Sequence, residues 1–83
     1  MANPVIFIHG GGEGGYEADT KLADSLRKEL GDVYEVYNPQ IHFNDTLPDF
    51  GWPKQIGKEI FVIKEKIILV GHSFGASMLL KYL

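Results

Sequence analysis

The chain has no cysteine among its 83 residues, and this absence excludes several kinds of chemistry. Without a thiol there can be no disulfide, no catalytic thiolate and no cysteine-ligated zinc site, and the chain is compatible with a reducing compartment. Long apolar runs are absent as well, since the opening MANPVIFIHG has no basic region and is too short for a signal peptide or a membrane span. These absences predict a cytoplasmic protein that does not act at a membrane.

Positive charge is scarce too. Eight Lys and Arg stand against eleven Asp and Glu, the formal net charge is -3, and no basic block interrupts the chain. A polyanion is attracted by clustered positive charge, so no nucleic-acid partner is expected. With 45% hydrophobic and 23% charged residues, the composition is that of an ordinary globular domain. We expect neither a metal ion nor a bound cofactor.

Apolar runs and helical patterns alternate along the chain and predict an α/β fold. Runs 4–8 and 66–70 are rich in β-branched residues, which is typical of central parallel strands buried on both faces. Strand 33–37 carries Glu35 in its middle, which favours an edge position because a buried carboxylate is costly. Alternation with helices 16–30, 53–64 and 74–83 predicts a three-layer sandwich with a parallel sheet.

The helices differ in how much of their surface is apolar. Spacing in helix 16–30 predicts a buried face made of Ala18, Leu22, Ala23, Leu26 and Leu30. Helix 53–64 begins with a proline and is expected to bury Trp52, Ile56, Ile60 and Ile63. Helix 74–83 is apolar except for Ser77 and Lys81, so it is expected to be deeply buried.

The stretch HGGGEGG at residues 9–15 satisfies the dinucleotide-binding pattern GxGxxG through Gly10, Gly12 and Gly15. A dinucleotide site also requires an acidic residue at the carboxyl end of the second strand, where it binds the ribose hydroxyls. That end reads Tyr-Asn-Pro at 37–39, and Asp32 precedes the strand. A dinucleotide-binding domain is therefore the least favoured interpretation.

A second glycine-rich turn, GHSFG, occupies residues 71–75 between a predicted strand and a predicted helix. A nucleophilic serine requires such a strained strand-to-helix turn, and glycines two residues before and after it remove β-carbons that would crowd it. The helix that follows presents free backbone N–H groups, which can stabilise an oxyanion. We interpret Ser73 as a nucleophile in preference to a helix N-cap.

Together, FIHGGG and GHSFG resemble the α/β-hydrolase fold family, in particular its small bacterial single-domain serine hydrolases. The resemblance covers the whole chain and implies an esterase-like enzyme that acts on a small-molecule ester or related acyl compound through an acyl-enzyme. It implies that Ser73 is the catalytic residue, and that the oxyanion hole uses N–H groups of Gly11, Gly12 and Phe74. The residues implied to support the site are His9, Gly10, Gly71 and Gly75.

The chain departs from the family pattern after the serine. The family order is nucleophile, then acid, then histidine, whereas no Asp, Glu or His follows Ser73. The resemblance therefore implies that residues 1–83 are the N-terminal portion of one hydrolase domain, inactive alone, whose partner is the missing C-terminal half. His42 is expected to be a solvated loop histidine, and His72 occupies a place that the family fills variably.

Other candidate residues stand above the carboxyl ends of the strands, where a substrate would bind. For Glu13, Tyr16, Trp52 and the loop 39–51 we favour solvation or packing over substrate contact. A non-enzymatic alternative stays open: the chain could be a binding or interaction module, derived from a hydrolase half, that pairs its open strand edge with a partner.

As an isolated chain, residues 1–83 are expected to aggregate, because strand 66–70 would present an apolar edge and helix 74–83 would be half uncovered. Sedimentation and urea denaturation test this expectation. A monomer that unfolds in one cooperative transition would contradict it.

Overall fold

A parallel sheet forms the middle of the molecule. The computed structural model describes residues 3–11, 14–63 and 66–83. Within them, strands β1 (Asn3–Ile8), β2 (Tyr34–Tyr37) and β3 (Ile68–Gly71) lie in the order β2-β1-β3, and both pairings are parallel. The α/β class, the parallel sheet and the edge position of β2 are confirmed.

Helices cover both faces of this sheet. They are α1 (Gly15–Leu30), α2 (Trp52–Phe61) and α3 (Phe74–Tyr82), with short 3-10 helices at Gly31–Val33 and Pro48–Gly51. Alternate side chains of a strand point to opposite faces. Val5 and Phe7 therefore pack with α1, whereas Ile6 and Ile8 share a core with α2 and α3. The result is three layers with β1 at the centre.

Two element boundaries differ from the predicted ones by more than one residue. Helix α2 ends at Phe61 although the pattern predicted residue 64, and Lys64 itself lies outside the described residues. Strand β3 runs from Ile68 to Gly71 rather than over 66–70, so it extends into the glycine that opens the serine turn.

The buried face of α1 agrees with the predicted one at Ala23, Leu26 and Leu30 but not at Ala18 and Leu22. Asp19 and Ala23 are buried, whereas Leu22 is 44% exposed and Ala18 is exposed. At this rotation the Asp19 carboxylate accepts a hydrogen bond from the Gly10 N–H at 2.6 Å, which satisfies a buried polar group. Leu22 is turned instead toward the rim of a groove between α1 and β3.

Strand β3 lies at an edge and α3 is only partly covered, as expected for residues 1–83 alone, whereas the central position and deep burial predicted from their apolar composition are not found among the described residues. Within the described sheet β3 pairs only with β1, and Ile68 is 48% exposed. Helix α3 buries Met78 and Leu79, but Leu80 is 73% exposed, because nothing in the described residues packs on its outer side. The same open side leaves an apolar groove of about 280 Å³, whose lining includes Phe7, Leu26 and Val70.

At the other edge of the sheet, a side chain of α1 is bonded to the backbone of β2. Arg27 on α1 donates to the Val36 carbonyl of β2 through Nε at 3.2 Å and Nη2 at 3.1 Å. Its remaining terminal nitrogen pairs with Asp24 on the same helix. A carbonyl on this edge strand is thus already occupied by a side chain.

Gly75→Ala should lower the free energy of unfolding by about 3 kcal/mol or more, because the new Cβ would overlap the carbonyl oxygens of Ile8 and His9. Gly57→Ala is the matched control. Its Cβ would lie 2.9 Å from Tyr82 Cε1, at the far end of a partly exposed ring that can move, so a change within about 1 kcal/mol is expected. Urea denaturation measures both, and equal effects would contradict the close packing at Gly75.

Candidate active site

Both glycine-rich turns lie at the same edge of the sheet. They follow β1 and β3, which are parallel neighbours, so their carboxyl ends meet. The His72 N–H donates to the Ile8 carbonyl at 3.1 Å, and the first turn of α3 contacts the end of β1 where Gly75 has no Cβ. The structure therefore brings the predicted site residues of the two motifs together.

Ser73 occupies a strained turn between β3 and α3. Its backbone angles, φ 55° and ψ -123°, are unusual for a residue with a side chain and cost about 1–3 kcal/mol in general. The residue is exposed. Close packing also explains Gly71, since a Cβ there would lie 2.6 Å from Ala76 Cα. This is the backbone geometry that a nucleophile elbow requires.

Gly11 and Phe74, two of the residues predicted to supply N–H groups to an oxyanion hole, are in contact. A Cβ on Gly11 would lie 2.6 Å from Phe74 Cδ2, so the first glycine turn rests directly on the residue after the serine. Among the described residues, neither the Gly11 N–H nor the Phe74 N–H has an acceptor. Gly12, the other predicted donor, and Glu13 lie outside the described residues.

His9 is buried beneath the glycine turn, with 3% of its surface exposed. The Ile41 N–H donates to Nε2 at 2.9 Å, so the ring proton must be on Nδ1, which lies 2.6 Å from the Gly10 carbonyl oxygen and donates to it. Both ring nitrogens are used by the backbone. His9 therefore connects the glycine turn to the loop after β2 and has no nitrogen left for proton transfer.

Asp19 is the residue at this site that the motifs did not predict. Its Oδ2 accepts from the Gly10 N–H at 2.6 Å and lies 2.8 Å from His72 Nδ1. The side chain is 12% exposed, whereas that of His72 is 52% exposed. The sequence contains one signal that Asp19 is on the buried face of α1. Asp19 lies one helical turn before Ala23 and on the same face as Leu26.

Competing effects act on the pKa of the Asp19 carboxyl. Burial is the largest and would raise the pKa, because it disfavours the charged form. The hydrogen bonds from the Gly10 N–H and from His72, together with the positive charge of a protonated His72, outweigh it. The net result is a pKa below the ordinary value of 3.8, and an ionised carboxylate near neutral pH.

An aromatic wall stands beside the serine turn, made of Phe43, Phe50, Trp52 and Phe74. The ring centroids of Phe74 and Trp52 are 4.9 Å apart, and those of Phe43 and Phe50 are 4.3 Å apart. Trp52 is 1% exposed and acts as a packing residue, but Phe43 and Phe50 from the loop are 50% and 39% exposed. The wall offers an apolar surface next to the candidate nucleophile.

The loop that carries Phe43 and Phe50 is bonded at two places, once to α2 and once to α3. Asp49 and Phe50 adopt left-handed backbone angles, with φ 49° and 58°, and Asp49 forms an ion pair with Lys81 of α3 at 2.6 Å. His42 is exposed, as expected, and its backbone is bonded to the Gln55 side chain at 2.9 Å and 2.7 Å. These bonds fix the loop against α2 and α3.

Tyr16, the remaining residue predicted near substrate, is half-buried against the His9 ring, with centroids 5.2 Å apart. Over the described ranges, no group of three or more His, Asp or Glu side chains is placed to hold a metal ion. In the same part of the chain, every helix is too short or too polar to cross a membrane.

No protein-family model, no curated protein and no solved structure matches this chain.

Asp19→Asn should lower the free energy of unfolding by an amount that depends on pH. Since the folded-state pKa of Asp19 is lowered, its contribution is fully present above the ordinary pKa of 3.8 and is lost as pH falls toward the folded-state value. The difference in free energy of unfolding between the wild-type protein and Asp19→Asn should therefore be larger at about pH 6 than at about pH 3.

Urea denaturation at both pH values measures this difference, and the exposed Asp24→Asn is the matched control on the same helix. A difference that does not shrink on acidification would show that the pKa of Asp19 is not lowered by folding.

Proposed function

We propose that the protein is a serine hydrolase with a partial α/β-hydrolase fold, which cleaves carboxylic esters or related acyl compounds through an acyl-enzyme at Ser73. The observation that carries this proposal is the positive φ of Ser73 at the strand-to-helix turn, next to the Gly10 backbone. A strained turn costs free energy, and such strain is concentrated at functional sites.

The chemistry follows from that geometry. Ser73 Oγ would attack the substrate carbonyl carbon as its proton passes to a general base, and the bond to the leaving alcohol would then break as the alcohol takes a proton. The N–H groups of Gly11 and Phe74 would stabilise the oxyanion, a contribution of about 3 kcal/mol per donor in a known case. Water would release the acid by the same steps.

The general base is the part of this mechanism that these residues do not supply. Both nitrogens of His9 are bonded to the backbone, no hydrogen bond among the described residues joins Ser73 Oγ to His42 or His72, and no acid or histidine follows Ser73. In this proposal the triad acid and histidine belong to a part of the same domain outside residues 1–83. Without them the chain would retain at most the modest catalysis of an oxyanion hole.

The exposed side chains of the aromatic wall support a substrate with an apolar group. Phe43 and Phe74 stack with centroids 5.9 Å apart, so the wall is continuous with the residue after the serine. Burying an apolar substituent there would contribute about 0.8 kcal/mol per methylene group.

A second candidate function, an interaction module without catalysis, is favoured by the open β3 edge and the apolar groove beside it. The open reading frame distinguishes the two. A stop codon directly after codon 83 supports the module, whereas continued coding with an Asp and a later His supports the enzyme. Dinucleotide binding is disfavoured because Asp32 lies in the turn before β2, away from the glycine turn, so no measurable affinity for NAD is expected.

A fluorophosphonate probe tests the hydrolase proposal. In the protein made from the complete open reading frame, the probe should form one covalent adduct on Ser73, located by peptide mass spectrometry. Ser73→Ala should abolish the adduct, and the matched control Ser77→Ala, one turn along α3, should keep it. Absence of any adduct on Ser73 in the wild-type protein would refute the assignment of Ser73 as a nucleophile.

A further inference from the structure

One carboxylate oxygen joins the two turns of the candidate site. Asp19 Oδ2 lies 2.6 Å from the Gly10 backbone nitrogen and 2.8 Å from His72 Nδ1. An ionised carboxylate only accepts hydrogen bonds, so both partners donate and the Nδ1 of His72 carries a proton. Each partner directly precedes a residue of the proposed machinery, namely Gly11 in one turn and Ser73 in the other.

The carboxylate sits where the turns meet. A Cβ on Gly10 would lie 3.2 Å from Asp19 Oδ2, 3.7 Å from His72 Nδ1 and 3.7 Å from Ser73 Cβ. The backbone bond from His72 to Ile8 fixes the ends of the strands, but it leaves the path of the glycine turn after Ile8 undetermined. The two bonds to Asp19 join Gly10 directly to the serine turn.

We infer that Asp19 is a positioning residue, which fixes the distance between the Gly11 N–H and Ser73 by bonding Gly10 and His72 through one oxygen. The inference rests on the proposed function, in which these two groups act on the same substrate carbonyl. Hydrogen bonds to a charged acceptor are roughly twice as strong as neutral ones, and a buried carboxylate is therefore a stiff link. A displacement of about 1 Å in such a site can cost about a hundredfold in rate.

Three substitutions separate positioning from other roles. Asp19→Ala removes the link, and His72→Ala removes one arm of it without opening the core, since that side chain is 52% exposed. His72→Asn keeps an amide N–H donor close to the place of Nδ1 but has no Nε2. Asp24→Asn, exposed on the same helix, is the matched control.

The first readout is the phosphonylation of Ser73 in the protein from the complete open reading frame. Asp19→Ala should lower the maximal inactivation rate by about 10–100-fold, with little change in the probe concentration that gives half of that rate. His72→Ala should lower it in the same way, and His72→Asn should restore it to within about threefold of wild type. Circular dichroism identifies any variant that fails to fold.

Two results would overturn the inference. An unchanged inactivation rate in both Asp19→Ala and His72→Ala would show that the link has no effect on the reaction. If His72→Asn were as slow as His72→Ala, the imidazole itself would be acting, and Asp19 would not be a positioning residue in the sense proposed.

The second readout is hydrogen exchange of the Gly10 amide by NMR, which needs no activity. Exchange should be slow in the wild-type protein and in His72→Asn, and should accelerate at least tenfold in Asp19→Ala. If the wild-type protein forms no adduct, the proposed function fails, while accelerated exchange still supports the link between the turns. Unchanged exchange in Asp19→Ala would refute that link whatever the probe shows.

Discussion

The contact between the first turn of α3 and the end of β1 is the constraint on which the site depends. It is possible because Gly75 has no side chain, so the helix can rest against the carbonyl groups of Ile8 and His9. That approach brings the serine turn beside the glycine turn and presses Phe74 against Gly11. The unusual backbone of Ser73 is the strain that this tight packing maintains.

Polar side chains then hold the glycine turn from two directions. His9 bonds it to Ile41 in the loop after β2, and Asp19 bonds it to His72 in the serine turn. The described glycines of this turn have no side chains to pack, so buried groups outside the turn support it. A site built on such a support can keep backbone N–H groups fixed without a helix or strand beneath them.

Much of the fold could be predicted from local patterns. Apolar runs and the cost of burying Glu35 are properties of short segments, and they were sufficient for the parallel sheet and the edge position of β2. Burial of α3 could not be predicted in this way, because it depends on what covers the helix rather than on its composition. Leu80 is as apolar as Leu79 but lies on the uncovered side.

The site was predictable only in part for a related reason. Parallel strands place the ends of β1 and β3 at one edge, so the two motifs could be expected to meet. The role of Asp19 depends on the rotation of α1. Leu26 and Leu30 fit both the predicted face with Leu22 and the observed face with Asp19, so spacing alone did not distinguish them.

The Arg27 bonds to Val36 make the two edges of the sheet differ in how readily a further strand could pair with them. On the β2 side, a strand that tried to pair would meet a carbonyl already saturated by a guanidinium, with Asp24 beside it. On the β3 side no comparable side chain is found among the described residues, and apolar surface continues into the groove. Within the described sheet, the edge at β3 is therefore more open to a further strand than the edge at β2, and the groove lined by Val70 and Leu22 lies beside it.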